Sequence, residues 1–194
     1  MFTIRETVFI ETVEKRSKFL SYLVPYSLFE TEHQRLRHEH PKANHIVHAF
    51  RYINEYQQAV EGSSDDGEPR GCAGIPTLNV LRGAELVECA LLTVRYFGGI
   101  KLGTGGMARA YGSAARAAVE SATLIPYRKE RTFTFRSPYL HQRQIDYRLK
   151  ELGILVLDRN FDSVEFGYTI RGTGEQIDAF LSETGRLVRP VKQR

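Results

Sequence analysis

The chain has 194 residues, 42% of them hydrophobic and 26% charged, which is a composition typical of folded globular proteins. It contains no apolar run near the roughly 20 residues that a membrane-spanning helix needs, and the first residues lack a signal-peptide core. These features argue against a disordered chain and against a membrane protein. Cys72 and Cys89 have no CxxC spacing, so we expect reduced thiols and a cytoplasmic location.

The net charge of +4 is unevenly distributed along the chain. Before residue 127 there are 14 basic and 14 acidic residues, whereas from 127 onward there are 13 basic and 9 acidic ones. An excess of positive charge in one segment predicts an anionic partner such as RNA. A normally solvated basic surface would have the same composition, so this alternative stays open.

Residues 1–126 predict alternating strands and helices. Period-2 patterns and apolar runs indicate strands over 7–13, 18–25, 45–53, 56–60 and 86–97. Helices are expected over 28–39, around Leu78 and Leu81, and over 106–122. Ser27 and Glu30 have the spacing of a capping box at the start of the first helix. The segment 61–74 is rich in turn formers, and we expect a loop there.

Residues 127–194 have an order of their own. Strands are expected over 131–137, 154–161, 164–170 and 186–191, and helices over 139–152 and 174–184. Gly153 stands where a helix C-cap glycine belongs. The resulting order βαββαβ is that of a ferredoxin-like unit. The sequence therefore predicts an α+β protein with two domains, 1–126 and 127–194.

A glycine-rich segment links the strand 86–97 to the helix that follows it. Neither a Walker A loop nor a GxGxxG fingerprint is present. Glycine allows a ligand to approach the backbone, and the start of a helix attracts anions. The predicted anion-binding or nucleic-acid-binding residues are Arg95, Gly98, Gly99, Lys101, Gly103, Gly105, Gly106 and Arg109. The alternative is a tight turn that only allows the helix to pack closely on a sheet.

The second candidate site is an acidic loop, "SSDDGEPRG", with carboxylates at Asp65, Asp66 and Glu68 followed by Arg70. Carboxylate oxygens suit Mg²⁺, and Asp65 and Asp66 are the candidate metal ligands. The spacing is not that of an EF-hand. A solvated turn, in which Asp side chains accept backbone hydrogen bonds and Arg70 pairs with one carboxylate, is the alternative.

No complete catalytic constellation is visible. GxSxG and HExxH motifs do not occur. His45 and His48 are three apart on a predicted strand, so their side chains should point to opposite faces and cannot share a metal. We therefore name no catalytic residue, and enzymatic activity is less expected than binding.

Two long motifs resemble the paired signatures of the IMPACT family. They are "SDDGEPRGCAGIP" at 64–76 and "RYFGGIKLGTGGMARAY" at 95–111, while "KRSKFL" and "ANHIVHAFRY" match the family's N-terminal segments more loosely. The resemblance covers about residues 10–125. Cys72 stands where the family usually has threonine and Met107 where leucine is common, and neither change challenges the fold.

The resemblance implies a ribosomal protein S5 domain 2-like fold for the N-terminal domain. It also implies a ferredoxin-like C-terminal domain similar to domains of elongation factor G. Eukaryotic members of the family regulate translation through a protein partner.

Three functions follow as expectations. The first is a cytoplasmic, non-enzymatic factor that binds RNA or the ribosome, with further phosphate contacts from Arg136, Arg143, Arg148, Arg171 and Arg189. The second is a Mg²⁺-dependent enzyme or binding protein for a phosphorylated small molecule or nucleotide, which requires the acidic loop and the glycine segment to converge. The third is a module that binds a protein partner.

Overall fold

The computed structural model describes residues 1–191, which form two compact units, Met1–Tyr127 and the part from Arg128 onward. Helices and sheets occur in both units, so the predicted mixture of α and β structure is confirmed. The last three residues of the predicted second domain lie outside the described residues. Among the residues described, no helix has both the length and the apolar character needed to cross a bilayer.

The first unit contains seven strands and three α-helices. The strands are β1 (Phe2–Thr3), β2 (Val8–Glu14), β3 (Ser17–Pro25), β4 (His45–Ile53), β5 (Ala59–Ser64), β6 (Cys89–Tyr96) and β7 (Ile125–Pro126). The helices are α1 (Phe29–Glu39), α2 (Gly74–Gly83) and α3 (Gly103–Glu120). The short strands β1 and β7 pair with each other, and the other five form one antiparallel sheet in the order β2-β3-β6-β4-β5.

Helices cover both faces of this five-stranded sheet. Leu23 of β3 and Leu91 of β6 belong to the core under α2 and α3, whereas Val24 and Leu92 belong to the core under α1. The alternation along each strand explains the arrangement, because successive side chains point to opposite faces. Since β6 lies in the middle of the sheet and is covered on both sides, its sequence is a nearly continuous apolar run.

The structure differs from the sequence-based expectations at several places in this unit, among them the unexpected short strands β1 and β7. Strand β5 includes 61–64, which we expected in the loop, because backbone pairing with β4 does not depend on the side chains. Helix α3 begins at Gly103, three residues before the predicted start. The predicted capping box is wrong, since a 3-10 turn (Tyr26–Leu28) precedes α1 and neither makes a side-chain cap hydrogen bond.

The second unit has the order β8 (Glu130–Pro138), α4 (Gln142–Glu151), β9 (Leu155–Phe161), β10 (Glu165–Thr173), α5 (Gly174–Thr184) and β11 (Arg189–Pro190). Its four strands form an antiparallel sheet in the order β11-β8-β10-β9. Phe135, Phe166 and Tyr168 from the sheet pack with Ile145 and Phe180 from the helices. One face of the sheet therefore carries the core of this unit.

Two helix ends in this unit have clear local causes. Gly153 follows α4 with a φ of +65°, a backbone conformation that favours glycine, as the sequence predicted. Helix α5 begins with a capping box, in which the Gln176 N–H donates to the Thr173 hydroxyl at 3.2 Å. The Thr173 N–H donates in return to the Gln176 side chain at 2.8 Å.

Replacing Thr173 tests the contribution of this capping box. We expect Thr173→Ala to lower the free energy of unfolding of the second unit by about 1 kcal/mol, because an N–H of the helix start loses its acceptor. Urea denaturation followed by circular dichroism measures the change. Thr173→Ser keeps the hydroxyl and serves as the control; equal stability of the alanine and serine variants would contradict the assignment.

Candidate functional site

The acidic loop and the glycine segment meet at one pocket of the first unit. The cavity has a volume of about 380 Å³. Pro69 comes from the acidic loop, while Lys101 and Gly103 come from the glycine segment. The remaining lining residues are Asn44, His45, Arg95, Phe97, Leu102, Thr104 and Met107. The convergence that the sequence left open is therefore present in the structure.

Part of the glycine segment is explained by the fold alone. A Cβ atom at Gly98 would lie 2.0 Å from the backbone carbon of Arg16, so only glycine fits beside the β2–β3 turn. The Gly98 N–H also donates to the Ser17 hydroxyl at 3.2 Å. Gly99 and Gly103 have φ values of +84° and +68°, which side chains rarely adopt. The tight-turn alternative therefore accounts for these three glycines.

The start of α3 carries the features that the anion prediction needs. Its first turn contains Gly105 and Gly106, no acidic residue, and no side chain that caps the helix. The first N–H groups of a helix have no partner within the helix, and the helix dipole favours negative charge there. Arg109 is exposed, and its guanidinium lies close to Gly105. The geometry suits an anion, although the anion-binding role of these residues stays a prediction.

A buried ion pair includes Arg95, one of the residues that line the pocket. Arg95 Nη1 donates to the Glu68 carboxylate at 2.6 Å, and the Tyr111 hydroxyl donates to the same oxygen at 2.8 Å. The side chains of Arg95 and Glu68 are 7% and 3% exposed. Burial raises the pKa of Tyr111, and the adjacent Glu68 carboxylate raises it further. This phenol therefore stays protonated and donates to Glu68.

A second feature of Arg95 is a buried hydrogen-bond donor that has no acceptor within the described residues. This donor is Nε, which has no hydrogen-bond partner among residues 1–191, although Arg95 lines the pocket. The guanidinium also lies 5.8 Å from the ring centres of both Phe19 and Phe97. A buried N–H without an acceptor is uncommon, because its desolvation is not compensated. This unpartnered donor therefore belongs to a side chain that lines the pocket.

His45 belongs to the same site. Its Nδ1 lies 2.8 Å from the backbone oxygen of Asp66, and because a carbonyl only accepts, Nδ1 donates. Its Nε2 lies 3.9 Å from a Glu68 oxygen. His45 stands directly opposite Arg95 in the pairing of β4 with β6. His48 lies on the other face against Phe29, which confirms that the two histidines cannot share a metal.

Sequence reasoning missed His45, Phe97 and Tyr111 as parts of the site. The pairing of His45 with Arg95 joins residues that are 50 positions apart, and no local pattern reveals it. Tyr111 gave one signal, since it lies on the buried stripe of α3 and a buried phenol requires a polar partner. Phe97 follows the apolar run of β6, but it is 55% exposed.

Asp65 and Asp66 hold the acidic loop together. Asp65 accepts the N–H groups of Gly71, Ala73 and Gly74 at 2.7, 3.0 and 2.8 Å, which secures the start of α2. Burial alone would raise the pKa of Asp65, but the three N–H donors outweigh it and hold the pKa below its ordinary value. Asp66 accepts from Arg37 and from the Ile46 N–H, both at 2.5 Å.

These hydrogen bonds occupy the two candidate metal ligands. Within residues 1–191 no group of three or more His, Cys, Asp or Glu side chains could hold a metal ion. Magnesium binding by Asp65 and Asp66 stays a prediction, and the hydrogen bonds favour the alternative of a structured turn. Arg70 is exposed and forms no ion pair with a loop carboxylate within the described residues, although its charge helps to lower the pKa of Asp65.

Exposed basic side chains lie on and beside the glycine segment. Lys101 and Arg109 are exposed, and no ion pair to either is formed within the described residues. The exposed side chains of Lys15 and Arg16 lie on the turn beside Gly98. In the second unit, Arg136, Arg148 and Arg189 pair with Asp162, Glu183 and Glu165. The other two predicted contacts, Arg143 and Arg171, are exposed and form no ion pair in the described structure.

Comparisons with known proteins agree with the resemblance seen in the motifs. A family model described as "Impact N-terminal domain" matches residues 15–119. The "IMPACT family member" of Haemophilus influenzae is 34% identical over 95% of this chain and 93% of its own length. "IMPACT family member YvyE" of Bacillus subtilis is 31% identical over 85% and 77%.

A further relative, "IMPACT family member YigZ" of Escherichia coli, is 39% identical over 56% of this chain and 55% of its own. Among solved structures, one described as the crystal structure of a hypothetical protein aligns with 100% of this chain and 97% of its own. Its TM-score is 0.63 at 24% identity. That likeness shows a shared fold and carries no information on activity.

Asp65→Asn tests the structural role of the acidic loop. We expect a loss of about 1–3 kcal/mol in the stability of the first unit at pH 7, because the amide NH₂ group faces backbone donors. A carboxylate with a lowered pKa stabilises the fold above its unfolded pKa of about 3.9, and the contribution disappears as the pH falls through the lower folded value. The difference between variant and native protein should therefore narrow below about pH 4.

Urea denaturation across pH 2–7 measures this difference. Asp158→Asn is the control, because Asp158 is exposed and forms no ion pair within the described residues. A stability difference for Asp65→Asn that does not change with pH would refute the assignment.

Two glycines of the first unit provide a matched pair. We expect Gly98→Ala to destabilise the unit by about 2 kcal/mol or more, because the methyl group meets the Arg16 backbone. Gly112→Ala, within α3 and with no atom near the new Cβ, should stabilise it by about 0.5–1 kcal/mol. Thermal and urea unfolding measure both. A neutral Gly98→Ala would mean that this glycine is not required by the turn.

Proposed function

The chain belongs to the IMPACT family, and from this premise we propose that it is a cytoplasmic, non-enzymatic factor that binds RNA and acts in translation. Phosphate groups of the RNA contact Lys101, Arg109 and the start of α3. The observation that carries the proposal is the pocket, where an uncapped helix start lies beside basic side chains that form no ion pair with residues 1–191. Such positive, donor-rich surfaces bind phosphate backbones.

The β2–β3 turn supports the same surface. Lys15 and Arg16 form a two-residue turn, and both have positive φ values, 45° and 67°. Asn-Gly is the common choice in such turns, so two basic residues adopt this backbone at a cost in conformational energy. This turn places two further positive charges next to the glycine segment.

We also propose the two fold names and the domain division that the resemblance implies. The first unit corresponds to an S5 domain 2-like domain over 1–126. The second corresponds to a ferredoxin-like domain over 127–194. Its βαββαβ order supports this assignment, and so does the sheet order β11-β8-β10-β9, in which the fourth strand of the domain lies beside the first, followed by the third and the second. Three of this domain's five candidate arginines are ion-paired, and Arg143 and Arg171 are the two that supply further phosphate contacts in this proposal.

A second candidate function is binding of a phosphorylated small molecule. The observation that favours it is the volume of the pocket, about 380 Å³, which lies within the range of small-molecule sites. A Mg²⁺-dependent reaction has less support, because the carboxylates of Asp65, Asp66 and Glu68 are engaged with N–H, guanidinium and hydroxyl donors.

A protein partner is favoured by a different surface. Leu140 and Val164 are 87% and 71% exposed, and Phe161 is 52% exposed. The Tyr139 hydroxyl donates to the backbone oxygen of Asp162 at 2.6 Å, which places the turn that holds Leu140 near the β9–β10 hairpin. Exposed apolar patches of this kind mark interaction surfaces.

A salt series tests the RNA proposal. The dissociation constant of the full-length protein for a fluorescent, unstructured 20-nucleotide RNA is measured by anisotropy between 50 and 300 mM KCl. We expect affinity to fall steeply with salt, because each phosphate contact releases counterions. The double variant Lys101→Glu/Arg109→Glu should bind at least about tenfold more weakly and lower the salt slope by about two.

The matched control is Lys150→Glu/Arg186→Glu, which makes the same charge change on exposed basic side chains of the second domain that are not among the predicted phosphate contacts. It should bind within about threefold of the native protein, since long-range effects of exposed charges are screened. Equal losses in both double variants would show binding by net charge alone. Unchanged affinity in the first variant would remove the proposed surface.

A further inference from the structure

We infer that the pocket binds one nucleotide, with its base against Phe97 and its phosphate at the first turn of α3. This inference rests on the proposed function for the RNA strand and adds to it a specific site for a single residue of that strand. The shared chemistry is that of a 5′-phosphorylated nucleoside, which a single strand or a free nucleotide supplies.

The phosphate end of the site depends on two independent observations. The first is the uncapped start of α3, an 18-residue helix whose first turn lines the cavity through Gly103 and Thr104. The second is Arg95, which is only 6% exposed and lines the same cavity with a buried Nε that has no partner among the described residues. A phosphate oxygen accepts from both the guanidinium and the helix N–H groups.

The charges on this side of the pocket favour an anion over a neutral ligand. Glu68 balances the charge of Arg95, and Tyr111 and Arg95 satisfy the carboxylate oxygen that faces them. Lys101 lines the pocket and has no ion pair within the described residues, so its charge and the helix dipole are not compensated. A nucleoside without phosphate would leave both unbalanced.

The base end of the site is aromatic and apolar. Phe97 is 55% exposed, so its ring is accessible, and the guanidinium of Arg95 lies 5.8 Å from its centre. Pro69, Leu102 and Met107 supply apolar walls. Nucleobases stack on exposed aromatic rings and on guanidinium planes in proteins that bind single strands. Asn44, also in the lining, offers an amide donor and acceptor for a base edge.

The size of the cavity selects the form of the nucleic acid. About 380 Å³ accommodates one nucleotide but no base pair of a duplex. The pocket therefore requires an unpaired nucleotide, which distinguishes it from backbone contacts by the basic side chains around it. Those contacts do not require an accessible base.

The experiment measures binding of AMP, UMP, adenosine and inorganic phosphate to the full-length protein by calorimetry, beside anisotropy with single-stranded and duplex 12-nucleotide RNA. We expect both nucleotides to bind, the nucleoside and inorganic phosphate to bind at least about tenfold more weakly, and single strands to be preferred over duplex.

Two pairs of variants locate the ligand. Phe97→Ala should weaken AMP and single-stranded RNA by roughly tenfold, as expected for the loss of one stacked base. Tyr56→Ala removes another exposed aromatic ring, 74% exposed on the β4–β5 turn, and should leave binding unchanged.

Thr104→Glu places a carboxylate at the helix start, where it repels a phosphate but favours the helix. We therefore expect binding at least about fivefold weaker without a loss of melting temperature, whereas Thr104→Gln keeps the affinity.

The outcomes separate this inference from the proposed function. Salt-dependent RNA binding that is equal in Phe97→Ala, Thr104→Glu and the native protein, without nucleotide binding, overturns the pocket and leaves the RNA proposal standing. Nucleotide binding sensitive to both variants, without affinity for RNA, supports the pocket as a site for free nucleotides and removes the RNA proposal. If the protein binds neither nucleotides nor RNA, both the pocket inference and the RNA proposal are refuted.

Discussion

The buried ion pair between Glu68 and Arg95 is the interaction on which the rest of the site depends. Removing both charges from water costs several kcal/mol for each ion, so the pair is tolerated only with close geometry and further hydrogen bonds. Tyr111 supplies one of these bonds. The three residues come from the acidic loop, from β6 and from α3, so one carboxylate joins a loop, the central strand and the helix that begins at the pocket.

Asp65 and Asp66 position the acidic loop through hydrogen bonds, and Gly98 positions the glycine segment through its lack of a side chain. Asp65 and Asp66 bind backbone N–H groups and Arg37, which holds the loop against α2 and β4. Gly98 allows the glycine segment to pass the β2–β3 turn in backbone contact. Residues with a strong motif signature therefore shape the site, while the side chains that face the cavity include His45, Phe97 and Thr104, which lie outside the predicted set.

The pairing of charged side chains is a property of the tertiary structure. The sequence places the whole excess of positive charge from residue 127 onward. In the structure, Arg136, Arg148 and Arg189 of that segment are paired with carboxylates. Other exposed basic residues of the segment, like Lys101 and Arg109 of the balanced first unit, form no ion pair within the described residues. A count of charges cannot foresee this, because side-chain pairing depends on which strands and helices become neighbours.

The sequence by itself determined the α/β composition, most element positions and the family. It also singled out the acidic loop and the glycine segment as the candidate site, because the spacing of hydrophobic residues, turn residues and long motifs are local properties. Gly153 at the end of α4 is an example. Only the tertiary structure decided that Asp65 and Asp66 bind the backbone, that His45 lies opposite Arg95, and that the buried Nε of Arg95 has no partner among the described residues. These contacts join residues far apart in the chain, and the pairing of β4 with β6, not any local pattern, brings His45 opposite Arg95.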